Sequence, residues 1–172
     1  AKPEESDNYE IGYRSSNASG SMEIIGFHVD YENLNETCNI ASGCADSSQD
    51  AKSAGEAHVT GLEFLYRVNN LFAAPQMKGA DNMGSGIRYP MAVSVTLQEA
   101  EHDVTTKTGE FVDGARIAYT PEEIYYVSVG MESNMWDVQL SAKYNDEVFD
   151  AGSSDAQKTE SAWIYDFRSG MS

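Results

Sequence analysis

Apolar and polar residues alternate at a spacing of two through most of this chain. The clearest stretch runs from Gly55 to Val68, GEAHVTGLEFLYRV, where Leu62, Phe64, Tyr66 and Val68 point one way. Glu63 and Arg67 point the other way, with Leu65 between them. A helix would need apolar spacings of three and four, and Val, Thr, Phe and Tyr favour the pleated backbone, so the pattern predicts a strand. Gly61 marks a point where that strand bends or passes something closely.

The same alternation predicts six more strands, over Asn8–Arg14, Met22–Tyr31, Ile87–Ala100, Ile124–Glu132, Trp136–Asn145 and Ser161–Arg168. In the second, Ile25, Phe27, Val29 and Tyr31 are expected on the apolar face, opposite Ile24, Gly26, His28 and Asp30. Across the five longest strands the apolar sets hold 22 residues and no charge, although 23% of the chain is charged. Lipid imposes that rule, since Lys or Arg at a bilayer midplane costs about 2 to 4 kcal/mol. A soluble sandwich core imposes it too.

The connections separate these cases better. Those after strands two, four and six are long and polar, and those after one and five are tight, so long and short loops gather at opposite ends as in outer-membrane barrels. Asn69–Gly86 breaks the rule. Aromatic residues near the stripe ends (Tyr9, Tyr13, Tyr31, Tyr66, Tyr89, Tyr125, Trp136 and Tyr144) read as interfacial girdles, with packed core aromatics as the alternative. The long loop after strand two holds the chain's two cysteines, Cys38 and Cys44. Without neighbouring His or Cys, they fit a disulfide in an oxidising compartment better than zinc, with free thiols as the alternative. Such a bridge would stabilise the loop by about 2 kcal/mol.

Composition narrows the function. The 172 residues carry a net charge of −17 and an isoelectric point near 4.3, which argues against nucleic acid because no basic stripe exists to neutralise phosphates. No apolar run is long enough for a spanning helix, but spanning strands need only about 9 to 11 alternating residues. His28, His58 and His102 show no metal-ligand spacing, no glycine loop cradles a phosphate, and no nucleophile, base and orienting group assemble, so neither cofactor nor catalysis is expected.

Several ordered segments resemble one family: KPEESDNYEIGYR, IIGFHVDYENL with the loop of Cys38 and Cys44, GEAHVTGLEFLYRV, YTPEE before a strand, and WDVQLSAKYNDE. Together they resemble the carboxy-terminal β-barrel of TonB-dependent outer-membrane receptors, most closely the iron(III)-dicitrate type. The resemblance implies an all-β antiparallel meander of about seven strands within a barrel of about 22 strands. Residues 1–172 are expected to form one segment of that wall, with the plug domain and the closing strands absent. It further implies binding and import of a ferric chelate such as iron-citrate or a siderophore, energised by the TonB complex, in the outer membrane of a Gram-negative bacterium.

By parity, the candidates for the lumen-facing side are Arg14, His28, Glu63, Arg67, Arg88, Gln98, Gln139 and Lys143. An ordinary hydrogen-bonded wall residue is the competing reading for each, and no ligand-contacting position follows from the motifs. Cationic groups among them would suit an anionic chelate such as ferric citrate. The alternative to a receptor wall is a soluble acidic module, a β-sandwich or small barrel binding a ligand or partner at its loop end.

Overall fold

A computed structural model describes residues 2–37, 51–72, 86–104, 113–149 and 158–171. Among these residues nine strands form: β1 (Glu5–Asn17), β2 (Gly20–Thr37), β3 (Ala51–Val68), β4 (Met91–His102), β5 (Glu123–Glu132), β6 (Trp136–Asn145), β7 (Val148–Phe149), β8 (Lys158–Thr159) and β9 (Ala162–Met171). Seven make one sheet in the order β1-β2-β3-β4-β5-β6-β9, and β7 and β8 pair separately. Every neighbouring pair in the sheet is antiparallel, so it is the meander that the family resemblance implies. Cys38 and Cys44 lie outside the described residues.

Local chemistry fixes the tight turns. Between β1 and β2 the Asn17 side-chain oxygen accepts from the amides of Ser19 (2.8 Å) and Gly20 (3.2 Å), an Asx turn that closes a two-residue loop. Between β5 and β6 the Ser133 hydroxyl oxygen accepts from the amides of Met135 (3.2 Å) and Trp136 (3.1 Å). The meander places both turns at the same end as the 69–90 connection, and the Asn69 amide donates to the Ser19 carbonyl at 2.9 Å.

Cross-strand partners share a face, so the register defines the two surfaces. One row reads Tyr13, Ile24, Phe64, Val95, Tyr125, Tyr144 and Trp163. Another on the same face reads Val68, Met91, Val129, Leu140 and Phe167. Phe64 and Val95 are paired neighbours on this open face, and Leu140 is 54% exposed. Among the described residues no second layer covers the stripe, and the fully buried apolar residues are only Ala57, Ala100 and Ala115. This is the opposite of a sandwich, whose apolar stripe would be its core.

The face expected for β2 is corrected. Ile24 stands opposite Tyr13 and Phe64, and His28 opposite Tyr9 and Thr60, so Met22, Ile24, Gly26 and His28 share the apolar face. Ile25, Phe27, Val29 and Tyr31 lie on the polar one. Tyr31 is therefore not part of an interfacial girdle. The physical reason is that the two-residue turn at Ala18 and Ser19 and the pairing with β3 set the register, which overrides β2's own pattern and turns its more apolar set toward the polar face. The close passage expected at Gly61 is also resolved. A β-carbon there would collide with the Phe27 ring and lie 2.8 Å from the Leu97 carbonyl oxygen, so the glycine lets Phe27 lie across the strand.

Two irregularities occur at the long-loop end. The β2–β3 register shifts between Tyr31 and Leu34, where Asn33 adopts φ 60, a conformation asparagine tolerates. Opposite β4, unbroken register would set Ala100 against Thr120; instead Ala100 accepts from the Ile117 amide at 2.8 Å. Residues 118–121 therefore bulge, with Tyr119 at φ 58 and its amide donating to the Phe149 carbonyl at 2.9 Å. The sequence YTP reads as a plain lead-in to β5, and the bulge has no signature in it.

Candidate functional site

The two faces differ in chemistry as well as orientation. On the apolar face, no residue from Ile11 on β1, through Leu62–Val68 and Met91–Leu97, to Phe167 on β9 carries a charge at the outward parity. From Met91 to Leu97 this band spans about 20 Å along the strand, at the usual rise per residue. Its edge toward the long loops is aromatic. Tyr125, Tyr144 and Trp163 stand side by side with ring centroids 5.5 and 5.2 Å apart. The Tyr125 hydroxyl donates to Glu123 at 2.6 Å and the Tyr144 hydroxyl to Asp146 at 3.2 Å. Ring in the apolar zone and hydroxyl on a carboxylate just beyond it is how an interfacial girdle satisfies both ends of tyrosine.

His28 sits on this same edge rather than on the polar wall. Its Nδ1 is 2.6 Å from the Thr60 hydroxyl and its Nε2 is 3.0 Å from Asp30, while His58 Nδ1 is 2.7 Å from Asp103. At the other end, Phe72 meets Tyr89 edge-on at 5.0 Å and is 74% exposed. The unbroken register from Met91 and Val129 to Arg88 and Glu132 places Tyr89 on the apolar side.

The polar face collects the remaining candidates. Arg14, Glu63, Arg67, Gln98, Gln139 and Lys143 all fall on it, and Arg88 joins it through its bridge to Glu132. Arg14 Nε donates to Glu23 at 2.8 Å and Arg88 Nη2 to Glu132 at 3.1 Å; Arg168 Nε lies 3.9 Å from Asp137. Gln98 Nε2 donates to the Pro121 carbonyl at 2.8 Å and so holds the bulge. Arg67, Lys143 and Glu63 have no ion-pair partner among the described residues. The candidates thus share a wall but not a point, spread over strands β1 to β6.

The parity candidates leave out Glu23 and Glu132, the partners of Arg14 and Arg88, and both members of the Arg168–Asp137 pair. Glu23, Glu132, Asp137 and Arg168 complete the pairs, and the same period-two reading of their own strands contains them. At the long-loop end of this face, burial pushes the imidazole of His102 below its ordinary value, with Asp103 pulling the other way. Among the described residues no group of three or more His, Cys, Asp or Glu could hold a metal ion.

A wall with an uncharged aromatic-edged band outside and paired charges inside is the arrangement of a membrane-spanning barrel. A comparison of solved structures agrees on the fold. The crystal structure of the ferric-catecholate import receptor Fiu from E. coli K12, in its closed form, superposes with a TM-score of 0.64 at 20% identity. The match covers 99% of this chain and 22% of that receptor, so the chain spans about a fifth of its length. No curated protein matches the sequence. The family model described as TonB dependent receptor-like, beta-barrel matches residues 1–171, and the chain belongs to that family, whose members are outer-membrane transporters rather than enzymes.

Proposed function

We propose that these strands are part of the wall of an outer-membrane receptor that imports a ferric chelate into a Gram-negative cell. The observation that carries the reading is the contrast of faces among the described residues: nothing charged lines the band that would meet lipid, while the opposite face holds ion pairs together with Arg67 and Lys143, which have no ion-pair partner there. In this reading the chelate and a plug domain occupy the polar side, and the TonB complex acts through that plug. The Cys38–Cys44 bridge would staple a loop on the oxidising side of the membrane.

Two chelate classes compete, and β2 bears on the choice. The inward position of Phe27, laid across Gly61, adds a flat aromatic surface that a planar catecholate ring can stack on, whereas a citrate complex has no ring to offer. The arginines serve either class, since both complexes are anionic. Uptake of radiolabelled iron by cells expressing the receptor, supplied as the citrate or as a catecholate complex, tests the reading. Deletion should abolish uptake of one of them, and Phe27→Ala should depress catecholate uptake alone. Unchanged uptake of both on deletion would sink the transport reading.

A further inference from the structure

The apolar band is not a flat surface. A groove of about 340 Å³ runs over β6 between β5 and β9, and the outward side chains that line it are Val127, Val129, Leu140, Ala142, Tyr165 and Phe167. Its floor is Ala142, which stands between Val127 and Tyr165 across the strands and between Leu140 and Tyr144 along its own. One methyl group among larger neighbours leaves room that the protein does not fill. Strands added at either edge of the sheet would lengthen this wall without covering its face, so the groove is a property of β5, β6 and β9 alone.

What lies at the long-loop end of the groove selects its occupant. Asp146 stands four residues beyond Ala142, about 13 Å along the strand, and its amide donates to the Glu123 carbonyl at 2.9 Å, which sets the two carboxylates side by side. Both accept a tyrosine hydroxyl from the girdle, Glu123 from Tyr125 and Asp146 from Tyr144. Glu123 pairs with Leu97, and the next outward residues of β4 are Glu99 and Glu101, so the rim is acidic on that side as well. An apolar groove under an acidic rim suits a hydrocarbon chain with a cation at its head. A head carrying phosphate alone would meet like charge there.

We propose that the groove holds one acyl chain of a phospholipid whose headgroup ends in a primary ammonium, with that ammonium donating to Glu123 and Asp146. This is a single retained lipid, distinct from the exchanging layer that any apolar band collects. The inference rests on the reading of the band as lipid-facing and on nothing about the cargo, so import of iron has no part in its test.

The whole receptor is reconstituted into vesicles of equal parts phosphatidylethanolamine and phosphatidylglycerol, with one of the two brominated on its acyl chain at a time. Trp163 reports on the groove, because its ring stacks on that of Tyr165 at 6.2 Å and bromine quenches tryptophan fluorescence on contact. Its share of the signal is the difference between the parent and Trp163→Phe. Brominated phosphatidylethanolamine should quench that share about two- to threefold more than brominated phosphatidylglycerol, the preference expected of an exposed ammonium and carboxylate pair. Ala142→Leu fills the groove and should make the two lipids equal. Ala142→Gly leaves the groove open and should keep the preference, while the double variant Glu123→Gln, Asp146→Asn should lose it. Each variant's strand content is checked by circular dichroism. Equal quenching by the two lipids in the parent, a preference for phosphatidylglycerol, or a preference that survives Ala142→Leu overturns the proposal and leaves the band lipid-facing. No quenching of Trp163 by either lipid overturns the lipid-facing band itself, and the proposal with it.

Discussion

Two rows of cross-strand partners show what each face of the sheet requires. Toward the band run Tyr13, Ile24, Phe64, Val95, Tyr125, Tyr144 and Trp163. On the reverse run Ser16, Ser21, Arg67, Ala92, Ser128, Ser141 and Asp166. One backbone supplies both, since strand side chains alternate faces. The first row is large and uncharged, because lipid accepts any apolar shape and rejects ions. The second is small and polar, which leaves space and isolates its charges. The outer face is therefore defined by what it lacks, and the inner by what its charges can reach.

The contrast breaks most visibly at adjacent positions. Val95→Arg puts a cation in the middle of the band and should cost about 2 to 4 kcal/mol of folding free energy in lipid vesicles, read by denaturant titration. Thr96→Arg, one residue on, faces Glu63 and should change stability by no more than about 0.5 kcal/mol. Equal costs at both sites would show that lipid does not lie on one side.

Glycines give the next largest effect. Gly61→Val drives a side chain into Phe27 and toward the Leu97 carbonyl, and overpacking of this kind costs about 1 to 3 kcal/mol. Gly26→Ala, on the band face, meets nothing closer than 3.8 Å and should be nearly neutral. The same titration compares them. A neutral Gly61→Val would mean that Phe27 does not depend on the glycine for its place across β3.

These pairs also show how much was legible in advance. All seven strands of the sheet follow from the alternation and their antiparallel order from the family resemblance; β3 to β6 each have one face plainly apolar and one plainly not. In β4, Met91, Val93, Val95 and Leu97 against Ala92, Ser94, Thr96 and Gln98 admit a single orientation. β2 departs from its own pattern: its more apolar set, Ile25, Phe27, Val29 and Tyr31, lies on the polar face. Its orientation is a property of the turn and the neighbouring strands, so His28 is found at the band edge and Phe27 on the wall. Glu23 and Asp137 were visible as residues but not as partners, because pairing depends on register. The bulge before β5 was hidden because only the hydrogen bonds of Ile117 and Gln98 reveal the missing register.

A smaller test concerns the aromatic edge. Tyr125→Phe keeps the ring in its stack with Tyr144 and removes the hydroxyl that donates to Glu123. The loss should be small, since the hydroxyl is open to solvent, and is measured by the same vesicle unfolding assay. Tyr125→Ala removes ring and hydroxyl together and should lose clearly more. If the two variants lost the same, the ring would contribute nothing and the row would not be a girdle.

The smallest effect lies beyond the band, where the inner face reaches the long loops at His102. Its amide donates to the Ala115 carbonyl at 2.9 Å and its own carbonyl accepts from Gly114 at 2.7 Å, so the returning chain packs over it. Burial holds its proton affinity below the ordinary 6.5, with the Asp103 carboxylate opposing that shift. The unfolded chain thus takes up this proton at a higher pH than the folded one. Stability from His102 is complete above about pH 6.5 and is lost as the pH falls through that value toward the lower folded one. The unfolding midpoint, followed from about pH 7.5 to about pH 5.5, should decline in that direction, and His102→Gln should flatten the part of the slope that this residue causes. An identical slope in the variant would show that the packing of Ala115 and Gly114 over β4 leaves the imidazole as free to take a proton as it is in the unfolded chain.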